Sequence, residues 1–182
     1  MSCELIVQFC APTLAGLKVG NLFSYRFECL EKFQKQIEYN NKLLNKKGIY
    51  FVVVKNENGL ALIYVYRKSQ LLKQLQSKEV ALFLREMGYQ EMSIESALEV
   101  LSKHLLEHEF PHEIGAFLGY PIEDIRAFMK YKGLSYKSVG HWKVYTDEEE
   151  AHKIFKKYNK CVAVYCEKLA SGFDLNRLTV TC

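Results

Sequence analysis

The sequence contains no apolar run approaching the roughly 18 residues that a membrane-spanning helix requires, and its formal net charge is only +4. The first absence excludes a helical membrane span. The second removes any case for nucleic acid made from charge alone. Proline is scarce, with three residues, and tryptophan occurs once. No linker, internal repeat or low-complexity segment divides the chain, so one domain is expected. The first residues, MSCELIVQFC, carry Glu4 and no basic run, so a signal peptide is not expected. The six cysteines therefore read as reduced thiols of a cytoplasmic protein rather than as a disulfide framework. Familiar chemical signatures are missing too. There is no G-x-x-x-x-G-K-[ST] phosphate loop, no H-E-x-x-H and no cysteine pair at zinc spacing.

What is present is enough for a sizeable core: 182 residues, 49% hydrophobic, with 12 Tyr and 11 Phe. Residues 3–9 suit a short helix that Pro12 ends. The stretch APTLAGLKVGNLFS is punctuated by Gly16, Gly20 and Asn21 and reads as an ordered loop. Over residues 27–47, Leu30, Phe33, Ile37 and Leu44 share one face of an amphipathic helix, with Gly48 as its stop. The runs IYFVVVK and LALIYVY flank Asn58-Gly59 and predict a tight β-hairpin over 49–55 and 60–66. Both runs are apolar on both faces, so other elements must cover each side.

Helical patterns follow over 69–87, broken near Ser77, and over 93–108, where Ser93 caps a stripe of Ile94, Ala97, Leu98, Leu101 and Leu105. Pro111 leads into a short helix reaching Leu118, and Gly119-Tyr120-Pro121 turns the chain into another over 122–132. The segment YKSVGHWKVY reads as a small hairpin about Gly140, or as one strand ending at Tyr145. Thr146 and Glu149 suggest a capping box for a long last helix whose stripe is Ala151, Ile154, Phe155, Tyr158, Val162, Tyr165 and Leu169. The tail GFDLNRLTV can add an edge strand. The expected fold is α+β, a mostly helical single domain around a central antiparallel β-hairpin or small sheet.

Residues of special chemistry gather between His104 and Tyr145, which holds four of the five histidines and the only tryptophan. His104, His108 and His112 are spaced by four and would share one face of a continuous helix as metal ligands. Pro111 interrupts that helix before His112, and His108 falls inside the apolar stripe, so packing accounts for it and no metal site is assigned. Cys161 and Cys166 lie about 140° apart on a helix, which excludes a disulfide and suits small buried hydrophobes. Cys10 is the better nucleophile candidate, although no His or Asp partner is evident. Residues 111–145 also have the outline of a helix-turn-helix with a wing. Glu123 and Asp124 open its second helix, where they would face phosphates, so nucleic acid is an unexpected partner.

Four separated stretches, CAPTLAGLKVGNLFS, HEIGAFLGYPIED, GHWKVYTDEEEA and KCVAVYC followed by LTV, together resemble a family of bacterial proteins of similar length, domain of unknown function 3793. The resemblance spans residues 10–180. It implies an origin mainly in anaerobic bacteria, and genes near flavodoxin or iron-handling genes, hence a redox- or iron-related accessory role. It assigns no reaction and no particular cofactor. Many members carry Cys just before the glycine of the WKVY motif, where this chain has Val139. A role for that thiol would be lost here or pass to His141.

The expected function is binding of a small molecule, cofactor or protein partner. The expected site joins Cys10, Thr13, Lys18 and Asn21 to His112, Glu113, Tyr120, Trp142 and Lys143. Lys18 and Lys143 would meet an anionic group, Trp142 and Tyr120 would form an aromatic wall, and His112 would pair with Glu113. The alternatives are an enzyme using Cys10 or His112, and a winged-helix-like DNA-binding protein acting through 111–145.

Overall fold

In the computed structural model, which describes residues 1–107 and 110–181, the hairpin foreseen from Asn58-Gly59 lies at the centre of the molecule. Strands β2 (Ile49–Glu57) and β3 (Leu60–Arg67) pair antiparallel. Asn58 and Gly59 turn between them with φ of 50° and 74°, the left-handed pair that a two-residue hairpin loop requires. A third strand, β1 (Gly20–Arg26), pairs with the other edge of β3 from Gly20↔Tyr66 to Arg26↔Leu60, so the order is β1-β3-β2.

Strand β1 occupies the stretch expected to be a loop. Its first glycine serves a close approach rather than a turn, since a Cβ on Gly20 would lie 2.5 Å from the Tyr64 ring. The preceding helix also runs past its expected end: α1 spans Cys3–Leu14, with Pro12 inside it. Pro12 sits in the last turn and has no N–H to give the carbonyl one turn back, yet the helix continues through it. The Ala15 and Leu17 amides still close that end on the Ala11 and Pro12 carbonyls.

Alternation along β3 sends successive side chains to two separate cores, which is why both runs are apolar throughout. Ala61, Ile63 and Val65 face α1, α2 (Leu30–Leu44), the long helix α8 (Glu148–Ala170) and α9 (Leu175–Leu178). Tyr64 and Tyr66 face α3 (Lys68–Gln76), α4 (Lys78–Glu86), α5 (Ile94–Glu107), α6 (Ile114–Phe117) and α7 (Ile122–Lys130). The α+β expectation therefore holds, with the sheet between two helical layers. Ser77 divides α3 from α4 as foreseen, its hydroxyl accepting from the Val80 amide, and the whole foreseen stripe of α5 is buried.

Two further details depart from the sequence reading. The cap of α8 is Asp147, which accepts from the Glu150 amide, because Thr146 is drawn to Asp124 instead. The tail forms α9, capped by Asp174, and buries Leu175 and Leu178 where an edge strand was expected. Arg67 is fully buried at the end of β3. Its guanidinium donates to the Thr13, Leu14 and Lys47 carbonyls, satisfying the free end of α1 with a cation that suits the helix C-terminus. Among the described residues no helix is long and apolar enough to cross a membrane.

Candidate functional site

Between α6–α7 and the hairpin β4 (Ser138–Val139) and β5 (Lys143–Val144) lies a cavity of about 290 Å³. Two residues set its shape. Asp124, in the first turn of α7, is buried and holds the hairpin: Oδ2 accepts from the Trp142 indole N–H at 2.8 Å, and Oδ1 accepts from the Tyr145 and Thr146 amides and the Thr146 hydroxyl, each at 2.9 Å. Gly140 lets the hairpin tip lie against α8, because a Cβ there would overlap the ring of Phe155. Trp142 is thereby clamped between Phe155 (centroids 4.5 Å, edge to face) and Tyr120 (5.1 Å).

The walls are apolar and aromatic: Ile114, Ile125, Phe128, Tyr120 and Trp142, with Phe110 and Val139 at the lip. His112 and Lys143 are its basic groups. His112 packs edge-on against Phe128 at 4.9 Å. The Lys143 ammonium lies over the Phe128 and Tyr136 rings and donates to the Gly133 carbonyl at 2.8 Å. Burial, with Tyr158 nearby, pushes the Tyr120 phenol up to about 12, so it stays neutral.

The nine foreseen site residues divide into groups. His112, Tyr120, Trp142 and Lys143 line the cavity together. Lys18 is only 5% exposed and sits behind the wall, its ammonium 5.4 Å from the Tyr120 centroid and 5.8 Å from that of Tyr158. Burial lowers its pKa to about 8, with a small opposing effect from Cys10. Cys10 is fully buried, and burial pushes its thiol far above the ordinary range, only partly offset by Lys18. A thiol so placed is a packing group rather than a nucleophile. The Thr13 hydroxyl donates to Asn21 Oδ1 at 2.8 Å and joins the end of α1 to β1, a structural brace away from the cavity.

Glu113 turns the other way. It accepts from His104 Nδ1 at 2.7 Å and from the Tyr89 hydroxyl at 3.4 Å, so the expected His112–Glu113 pair does not form. Of the three spaced histidines, His104 and His112 thus have different surroundings, and His108 lies outside the described residues. Among the described residues no group of three His, Cys, Asp or Glu side chains is placed to hold a metal ion. Cys161 is buried as expected, whereas Cys166 is exposed.

Asp124 is the residue whose place the sequence most disguised. At a helix start it looks like a solvated cap, and only the hairpin folding back over α7 makes it a latch. The WKVY motif held the signal, since a buried indole N–H needs an acceptor. The His141 ring, at the hairpin tip, faces α8, with Nε2 3.0 Å from Asn159 Oδ1. Burial lowers its pKa, Asn159 opposes the shift and Lys18 adds to it.

The model of a family of proteins of unknown function, DUF3793, matches residues 6–179. The chain belongs to that family. No curated protein and no solved structure matches it. In this DUF3793 protein, the cavity, the latch at Asp124 and the Lys18 turn all fall inside the matched span.

Proposed function

We propose that this DUF3793 protein is a cytoplasmic binding protein for a small, largely apolar molecule, held in the cavity between α6–α7 and the β4–β5 hairpin. The observation that carries the reading is the cavity itself: aromatic walls held by buried contacts, with two basic groups at its edge, are the usual make-up of a small-ligand site. The five cysteines among the described residues are free, which fits a reducing compartment.

The other readings have less behind them. Of the two candidate catalytic residues only His112 faces the cavity. For DNA binding, α7 would be the recognition helix, yet Asp124 is committed to the hairpin and Arg126 to Glu86 at 2.7 Å. A redox- or iron-related accessory role is compatible with a bound organic cofactor in the cavity.

Native mass spectrometry of protein purified from its own host tests the proposal. A retained small molecule is expected, and Val139→Trp should expel it. Val139 is 61% exposed at the lip, so the larger ring covers the mouth without disturbing the core. The melting temperature should therefore change little. If wild type carries nothing and a broad ligand screen shifts its melting no more than that of Val139→Trp, the cavity is not a binding site.

A further inference from the structure

Resting on that reading, we infer that the ligand is a compact planar aromatic anion, an aryl carboxylate whose ring lies among Trp142, Tyr120 and Phe128 and whose charge meets Lys143 and His112.

Size, wall and charge point the same way. A cavity of about 290 Å³ is at the small end of ligand sites and suits one or two fused rings. Tyr120, Phe128 and Trp142 wall it, with Phe110 at the lip, and Trp142 and Tyr120 are held at 5.1 Å by packing and by the Asp124 bond rather than left free to swing. Fixed rings favour another ring, through edge and face contacts, over a flexible chain that must give up its rotamer freedom.

The polar groups then choose the sign of charge. Asp124 is the acid that lines the cavity. Both its oxygens are already taken by the indole, two amides and a hydroxyl, so a cationic ligand finds no open acceptor there. Lys143 spends one of its three N–H groups on Gly133 and makes no ion pair among the described residues. Lys18 reinforces this from behind the Tyr120 ring, again with no carboxylate partner among the described residues. Two unpaired ammonium groups and the His112 ring thus face or flank the space, and a carboxylate is the complementary group.

The test uses the full chain and four probes in calorimetric titration: 1-naphthoate, its neutral amide 1-naphthamide, the cation 1-naphthylmethylamine, and octanoate as an acyclic anion. Naphthoate should bind at least about tenfold more tightly than each of the others. Lys143→Met keeps the alkyl packing and should erase the advantage over the amide. Lys143→Gln provides the same comparison should the methionine variant not fold. Equal or tighter binding of amide or amine overturns the anion, and equal binding of octanoate overturns the ring. An advantage that survives the Lys143 substitutions overturns the residue assignment. If no probe binds while host-purified protein still carries a ligand, this inference falls and the binding function stands.

Discussion

Asp124 spends its charge inside the protein, on four donors that belong to the hairpin. Replacing it by Ala strands those donors, so Asp124→Ala should lower stability by about 2–4 kcal/mol in urea titration. Trp142 emission should shift to the red as the indole gains water. An unchanged midpoint and unchanged emission would show that Asp124 is no latch. Lys18 makes a contrasting case, because burial holds its folded pKa at about 8, below its ordinary value of 10.5. Between those values the unfolded chain holds a proton that the folded chain has released. Stability therefore gains with pH across that window, and below pH 8 the protonated lysine carries its full penalty. Lys18→Met should raise stability near pH 7 by about 2–3 kcal/mol, less whatever the two tyrosine rings contribute. The difference between variant and wild type should shrink from pH 8 to 10. Taking that difference also cancels the buried tyrosines, such as Tyr64 and Tyr66, whose raised pKa values pull stability down in more alkaline solution. A difference that is flat with pH would refute the buried ammonium.

At the scale of elements, β3 decides more than any helix. Its even positions from Leu62 onward serve one core and its odd positions the other, so a single residue reports on a single layer. Ile63 is fully buried on the α1 side, opposite half-buried Val53 in the register. A carboxylate there has no partner and little water, so Ile63→Asp should cost about 3–5 kcal/mol or abolish the fold. Val53→Asp should cost less, since its side chain reaches solvent. If the two variants melt alike, the contrast between fully buried Ile63 and half-buried Val53 on that face is wrong. The β2 strand adds an extra residue between Val53 and Lys55, and Val54 faces the opposite core from Val53 by ordinary alternation. Arg67 closes the strand by tying β3 to the ends of α1 and of the turn before Gly48, so three elements meet on one guanidinium.

For the whole molecule, accessibility of the thiols gives a direct check on the layers. Cys3, Cys29 and Cys166 are exposed, whereas Cys10 and Cys161 lie in the core on the α1 side of the sheet. A thiol reagent should label the first three quickly in native protein. Cys10 and Cys161 should react only as the protein opens, and all six cysteines should react in denaturant. Fast native labelling of Cys10 would contradict the packing of α1 against α8 and the sheet.

The sequence by itself determined the hairpin, the helix stripes, the break at Ser77 and the α+β class, because those depend on local periodicity and on residues such as Asn58-Gly59 and Gly48 whose backbone freedom is chemically distinct. It also singled out four of the cavity residues, His112, Tyr120, Trp142 and Lys143, since such side chains are seldom spent without reason. Tertiary structure alone decided the rest. Strand β1 looked like a loop because its glycine accommodates a tyrosine ring some forty residues away, which no local pattern records. Glu113 left His112 for His104 because α5 passes on its other side. Lys18 and Tyr120, about a hundred residues apart, met because the turn after α1 packs beneath the turn after α6, where a Cβ on Gly119 would lie 3.2 Å from Val19. Local sequence sets which backbone each segment prefers. Which side chains end up facing one another depends on how the layers stack, and that is where the cavity gets its walls and its charge.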